Sequence, residues 1–299
     1  NVFTGHYRLL DEKDRRYASG TYDECREALE DIKIKQGLPP MKGKAVIVLH
    51  GLFRSHNSMD SLCDYLAEQG GYEVFNMTYP STRDDIGEHA RSLGHVIDNL
   101  EGIEEVNFVG HSLGNIVIRY YFGDLQRQEA EKNQASATPP LTPGPSPKKG
   151  EGSNAWSPAM RGKRPAFHRF VMLAPPNHEV QMATAFGDNI IFKTVSGQSG
   201  QQLGRQWKEL EEKLATPDCE FAIIAGGKNN DKGYNPLLSG DNDGTISVET
   251  AKLAGARDFI VLPVLHTFMM NDAKVQELTL QFLQKGFFIS EAQRHPLEK

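Results

Sequence analysis

Residues 106–117 read Val106-Asn107-Phe108-Val109-Gly110-His111-Ser112-Leu113-Gly114-Asn115-Ile116-Val117, and this stretch decides the fold. Val106–Gly110 is a short apolar run of strand length. Gly110-His111-Ser112-Leu113-Gly114 is a GxSxG turn, and Leu113–Gln128 places apolar residues at helical spacing. A strand that turns so sharply into a helix lifts the Ser112 hydroxyl above the sheet edge and strains its backbone. Glycine on either side removes side chains that would collide there. The helix start also aims the Leu113 N–H, reinforced by the helix dipole, at a point where negative charge can grow. A chance GxSxG in a Ser/Gly turn is the bland alternative, and the flanking strand and helix disfavour it.

Working outward, strand-like runs recur at Ala45–His50, Tyr72–Tyr79, Phe167–Ala174, Phe221–Ala225 and Phe259–Val264. Helical patterns fall between them at Asn57–Gln69, Asp84–Leu100 and Lys274–Gln284. Alternation of this kind predicts an α/β fold, a mostly parallel central sheet with helices on both faces. Residues 1–43 read as an N-terminal extension packed on the main domain, with an edge strand at Tyr7–Leu10 and a helix over Thr21–Lys35 opened by a Thr21-x-x-Glu24 capping box. The main domain runs over 44–286, and 287–299 read as a C-terminal tail. An insert at about 133–165 interrupts the domain, crowded with Pro, Gly, Ser and Lys and too poor in apolar residues to order itself. Its core resembles a translated interspersed repeat. Its basic groups and Trp156 offer the second reading, docking to something acidic.

Of the 299 residues, 33 are Lys or Arg and 39 are Asp or Glu, a net charge of −6 that argues against general nucleic-acid binding. No apolar run approaches the roughly 20 residues that span a bilayer. Cys25, Cys63 and Cys219 are too few and too scattered for a disulfide framework or a zinc ribbon. The chain starts at Asn1, as after removal of a leader or trimming, and residues 1–20 lack a signal-peptide pattern. The compartment stays open, with a soluble cytoplasmic setting the expectation, and the oligomeric state is unread.

A serine hydroxyl needs a neutral imidazole to take its proton and a carboxylate to orient that imidazole. His266, directly after Phe259–Leu265, is the best placed of ten histidines. Asp243, in the loop after Phe221–Ala225, is the favoured acid, with Asp241 and Glu179 as rivals. His50-Gly51 closes the first strand of the main domain, so the Leu52 N–H is a second candidate oxyanion donor opposite that of Leu113, and His50 itself takes a structural role. Aligning Gly244 with the glycine of a calcium loop puts Ser239 first and Thr250 twelfth, which fails that motif. Neither HExxH nor a dinucleotide fingerprint occurs, so cofactor-free, metal-free chemistry is expected.

HGLFRS, GHSLGN, APPNHE, GQSGQQLG, NDGTISVE and LPVLHTFMM together resemble the α/β-hydrolase superfamily, closest to its bacterial lipase- and esterase-like members, over about Lys44–Gly286. The resemblance implies Ser112 as nucleophile, Asp243 as acid, His266 as base, and Leu52 and Leu113 as oxyanion-hole donors. It implies a serine esterase or lipase acting on small-molecule or lipid acyl esters through an acyl-enzyme. An acyltransferase or thioesterase on the same triad, or a non-catalytic binding protein of this fold, are the alternatives. The insert and the PNHE turn depart from the family pattern, and PNHE bears on the pocket wall. Residues 181–195, rich in Met, Ile and Phe, read as an apolar cap over the site or as a crossover helix in the core.

Overall fold

Thr21 and Glu24 cap the first helix reciprocally. The Glu24 amide donates to the Thr21 hydroxyl at 3.2 Å, and the Thr21 amide donates to the Glu24 carboxylate at 2.7 Å. The helix, α1 (Tyr22–Gln36), ends at Gly37 in the left-handed conformation, φ 61°. Before it, β1 (Tyr7–Leu10) pairs antiparallel with β2 (Arg16–Gly20), a strand the sequence reading did not anticipate. The computed structural model describes residues 7–11, 15–39, 41–137, 164–179, 197–204 and 206–298. It divides into the unit Asn1–Met41, which holds these elements, and the unit Lys42–Lys299.

Among the described residues, the second unit holds six strands, β3 (Gly43–Leu49), β4 (Glu73–Met77), β5 (Ile103–His111), β6 (Ala166–Leu173), β7 (Glu220–Gly226) and β8 (Asp258–Leu262). They form one parallel sheet in the order β4-β3-β5-β6-β7-β8. The named helices are α2 (Asp60–Gly70), α3 (Ile86–Asp98), α4 (Leu113–Ala137), α5 (Trp207–Glu211), α6 (Val248–Ala251) and α7 (Ala273–Lys285). Residues 56–59 form a tighter 3₁₀ turn, where Asn57–Met59 were expected as the start of α2. There the amide and hydroxyl of Ser58 both donate back to the Ser55 carbonyl, at 3.1 and 2.7 Å. α4 runs nine residues beyond the expected Gln128, through a stretch of Glu, Ala, Lys and Gln with high helix propensity.

Alternate strand residues divide the core between the two faces. Val46, Val48, Val109, Val171, Leu173 and Ile224 pack with Leu62 and Leu66 of α2 and with Leu278, Phe282 and Leu283 of α7. On the opposite face Phe108 meets Phe122 of α4 and the rings of Phe167 and Phe170 edge-on. Both faces are therefore covered, which is why these strands read as continuous apolar runs. The residues after Gly286, expected as a tail, are held in the unit. The Phe288 side chain is buried, its amide donates to Asp258 at 2.8 Å, and Leu297 pairs with Gly255 and Ala256. The expectations for the insert beyond Ala137 and for 181–195 lie outside the described residues.

One buried group ties this fold to pH. His89 on α3 is 1 % exposed, shares a hydrogen bond of 3.1 Å with the Ser199 hydroxyl, and burial holds its pKa down at about 4. The unfolded chain, with an ordinary imidazole near 6.5, binds the proton more readily. The stabilisation is therefore present above pH 6.5 and is lost as pH falls toward 4, up to about 3 kcal/mol. Burial depresses His50 and His111 as well, with the same sign. Thermal unfolding should thus show a midpoint lower by roughly 6–12 °C near pH 4 than at pH 7. An unchanged midpoint would contradict the buried neutral state.

Candidate active site

The chain runs from β3 out to β4 and then returns to β5 on the other side of β3, so the sheet switches direction between β3 and β5. Crevices beyond the carboxyl ends of strands at such a point are where ligands bind in open α/β sheets. Ser112 stands there, between the end of β5 and the first residue of α4, with φ 53°. Its amide donates to the Leu173 carbonyl at 3.0 Å, and the Asn115 side-chain amide bridges the carbonyls of Ser112 and Leu173 at 3.0 and 3.1 Å. The flanking glycines are steric necessities. A Cβ on Gly114 would lie 2.5 Å from the Leu49 carbonyl oxygen, and one on Gly110 would lie 2.8 Å from the Asn115 backbone nitrogen. Gly51 leans on the same turn, since a Cβ there would come within 3.0 Å of both the Ser112 Cβ and the His111 ring.

Asp243 follows β7 and His266 follows β8, and the structure brings them together. His266 Nδ1 donates to Asp243 Oδ2 at 2.7 Å, and the His266 amide donates to the Asp243 carbonyl at 3.0 Å. The Asp243 side chain is 1 % exposed. Its other oxygen accepts from the amides of Thr245 and Ile246, at 2.9 and 2.7 Å, so three donors offset the burial of its charge. The rival acids do other work or lie elsewhere. Asp241 takes the amides of Lys228, Asn229 and Asn242, and Glu179 is exposed after β6. Among the described residues, no hydrogen bond joins the Ser112 hydroxyl to the His266 ring; catalytic bonds of this kind are commonly long until substrate is bound.

The link between the two halves of the site runs through His111, the residue of the turn just before Ser112, to which the sequence alone assigned no role. Its buried Nε2 donates to the His266 carbonyl at 3.0 Å, and the two rings lie 4.7 Å apart, tilted by 46°. Burial, with the neighbouring His266 adding to it, holds His111 well below the usual imidazole range, so it stays uncharged beside the His266 ring. Asn242 was missed too. Its fully buried amide accepts from the amides of Asn235 and Gly244 and donates to the Asn235 and Gly240 carbonyls, fixing the loop that presents Asp243. The PNHE turn is also anchored from behind. Buried Arg119 of α4 donates to Asn177 Oδ1 at 3.0 Å, and Asn177 donates to the Ala251 carbonyl at 2.8 Å.

The candidate oxyanion donors sit on two sides of the switch point. Leu113 is the first residue of α4, where a helix leaves its amides without an intrahelical acceptor. Leu52 lies in a turn closed by the Arg54 amide on the Gly51 carbonyl at 3.3 Å, followed at once by Phe53 with φ 59°. A positive φ in a phenylalanine is uncommon and marks a turn held by its surroundings.

The family described as "Putative serine esterase (DUF676)" matches residues 40–143, a stretch that includes the Leu52 turn and the Ser112 turn. Among solved structures, the lin2722 gene product of Listeria innocua is similar, with a TM-score of 0.51 at 15 % identity over 86 % of this chain and 98 % of that one. The mature lipase BlEst2 of Bacillus licheniformis gives a TM-score of 0.50 at 14 % identity over 83 % of this chain and 94 % of that one. No curated protein sequence matches the chain. By its sheet order and these similarities, the protein has the α/β-hydrolase fold. No described helix is long and apolar enough to cross a membrane.

Proposed function

We propose that the protein is a serine hydrolase that cleaves carboxylic esters, with Ser112 as nucleophile, His266 as general base, Asp243 as its orienting acid, and the Leu52 and Leu113 amides as oxyanion donors. The observation that carries this reading is the 2.7 Å bond from a buried, amide-capped Asp243 to His266 Nδ1. A bond there puts the proton on Nδ1 and leaves Nε2 as the free base. The His111 bond ties the His266 backbone to the residue adjoining Ser112, so that base serves the serine turn. The serine-esterase description of the family that matches both turns supports the same reading.

In the first half-reaction Ser112 Oγ attacks the ester carbonyl carbon as His266 Nε2 takes the hydroxyl proton. Negative charge grows on the carbonyl oxygen, and the two backbone amides receive it. Collapse of the tetrahedral adduct breaks the bond to the alcohol oxygen, which leaves with the proton from His266 and yields an acyl-serine. Water then repeats the sequence, giving up its proton to His266, and the acid departs as Ser112 regains its hydrogen. A fluorophosphonate, which reacts rapidly only with an activated serine, tests the site directly. One adduct per chain should form, located on the peptide containing Ser112 and absent after denaturation. No adduct, or one on another serine, would remove the reading.

A further inference from the structure

A buried group that this mechanism does not use lies against its oxyanion turn. Tyr79, in the loop after β4, is 4 % exposed, and its hydroxyl donates to the carbonyl of His50 at the end of β3. Its ring stacks on the His50 imidazole, with centroids 4.2 Å apart and planes within 13°. The ring of His89, itself bonded to Ser199, lies 4.8 Å from that of Tyr79 and tilted to it by 56°. His50 Nδ1 in turn donates to the Gly51 carbonyl at 2.9 Å. That last bond matters because Gly51 C=O and Leu52 N–H are the two ends of one planar peptide group, so fixing the oxygen fixes the direction of the N–H.

We propose that Tyr79 and His50 are positioning residues for the reaction, holding the Gly51–Leu52 peptide so that the Leu52 amide is already aimed at the oxyanion before substrate arrives. The Tyr79 phenol anchors the His50 backbone and presses its ring flat, and the ring anchors the Gly51 carbonyl. Burial keeps His50 and His89 uncharged, so the stack contributes orientation without placing a charge beside the oxyanion. A preset donor acts in the transition state far more than in the ground-state ester.

This inference rests on the ester-hydrolase reading, and the test separates the two. Tyr79→Phe keeps the stack and removes the hydroxyl, whereas His50→Phe keeps an aromatic ring and removes the Nδ1 donor. Each should be assayed on p-nitrophenyl butyrate, with kcat expressed per serine titrated by a fluorophosphonate, and with inhibition by butylboronic acid, whose tetrahedral adduct places an oxygen in the oxyanion hole. Both variants should lose about 10–100-fold in kcat with KM within about twofold, and the boronate constant should weaken in the same proportion. A purely structural role would lower the titratable fraction and leave kcat per titrated serine unchanged. Should one variant fail to fold, the other carries the same measurement. A folded variant with kcat and boronate affinity within about twofold of wild type overturns the assignment and leaves the hydrolase reading intact. Wild-type protein that neither turns over the ester nor labels at Ser112 overturns both.

Discussion

Ser112→Ala should lower ester hydrolysis by about 10⁶-fold, the scale on which serine hydrolases depend on their nucleophile. The fold should hardly notice. Ser112 keeps its place through backbone bonds to Leu173 and through the Asn115 bridge, none of which needs the hydroxyl. Alanine faces the same positive φ as serine, so the strain of the turn is nearly unchanged. Initial rates on p-nitrophenyl esters from acetate to palmitate, beside thermal unfolding, should show activity lost and a stability change within about 0.5 kcal/mol. Hydrolysis surviving in the variant would show that the measured turnover does not pass through this serine.

Asp243→Asn should cost about 10⁴-fold in kcat with the protein still folded, and the loss follows from hydrogen-bond direction. One carboxylate oxygen accepts from two backbone amides and the other from His266 Nδ1. An asparagine keeps its oxygen on the two amides only by turning its NH₂ toward the ring. His266 Nδ1 must then accept, the proton moves to Nε2, and the nitrogen that should receive the Ser112 proton is already occupied. The opposite orientation sets the NH₂ against two N–H donors. Circular dichroism beside kcat on one p-nitrophenyl ester distinguishes this tautomer trap from unfolding. A folded Asp243→Asn protein with wild-type kcat would mean that another group orients His266.

The sheet was legible because each parallel strand is a short run of Val, Ile and Phe covered on both faces, and all six expected strands lie within a few residues of β3 to β8. The serine turn was legible because its glycines are demanded by backbone atoms only a few residues away or on the adjacent strand. Edges were harder. Local bonds set them, as where Ser58 turns the start of a helix into a 3₁₀ turn, and β2 has no hydrophobic alternation to announce it. Asp243 and His266 could be ranked by chain order, but their contact spans 23 residues and two loops, and only folding forms it. The supporting groups left less trace still. His111 and Tyr79 each act through one bond to a distant carbonyl and Asn242 through several bonds within its own loop, and nothing in residue type or spacing marks a polar side chain that will be buried for that purpose.

α4 has a further consequence. Its 25 residues extend about 37 Å from the Ser112 turn, back along the sheet toward the edge where strands begin. β6 starts at that same remote edge, its Ala166 beside Glu105 of β5, with Arg164 tethered to Asp98 at 2.9 Å. Ala137 and Arg164 therefore both stand toward the end of the sheet away from Ser112. Polypeptide added between those two ends is therefore expected to leave the Ser112 turn as it is.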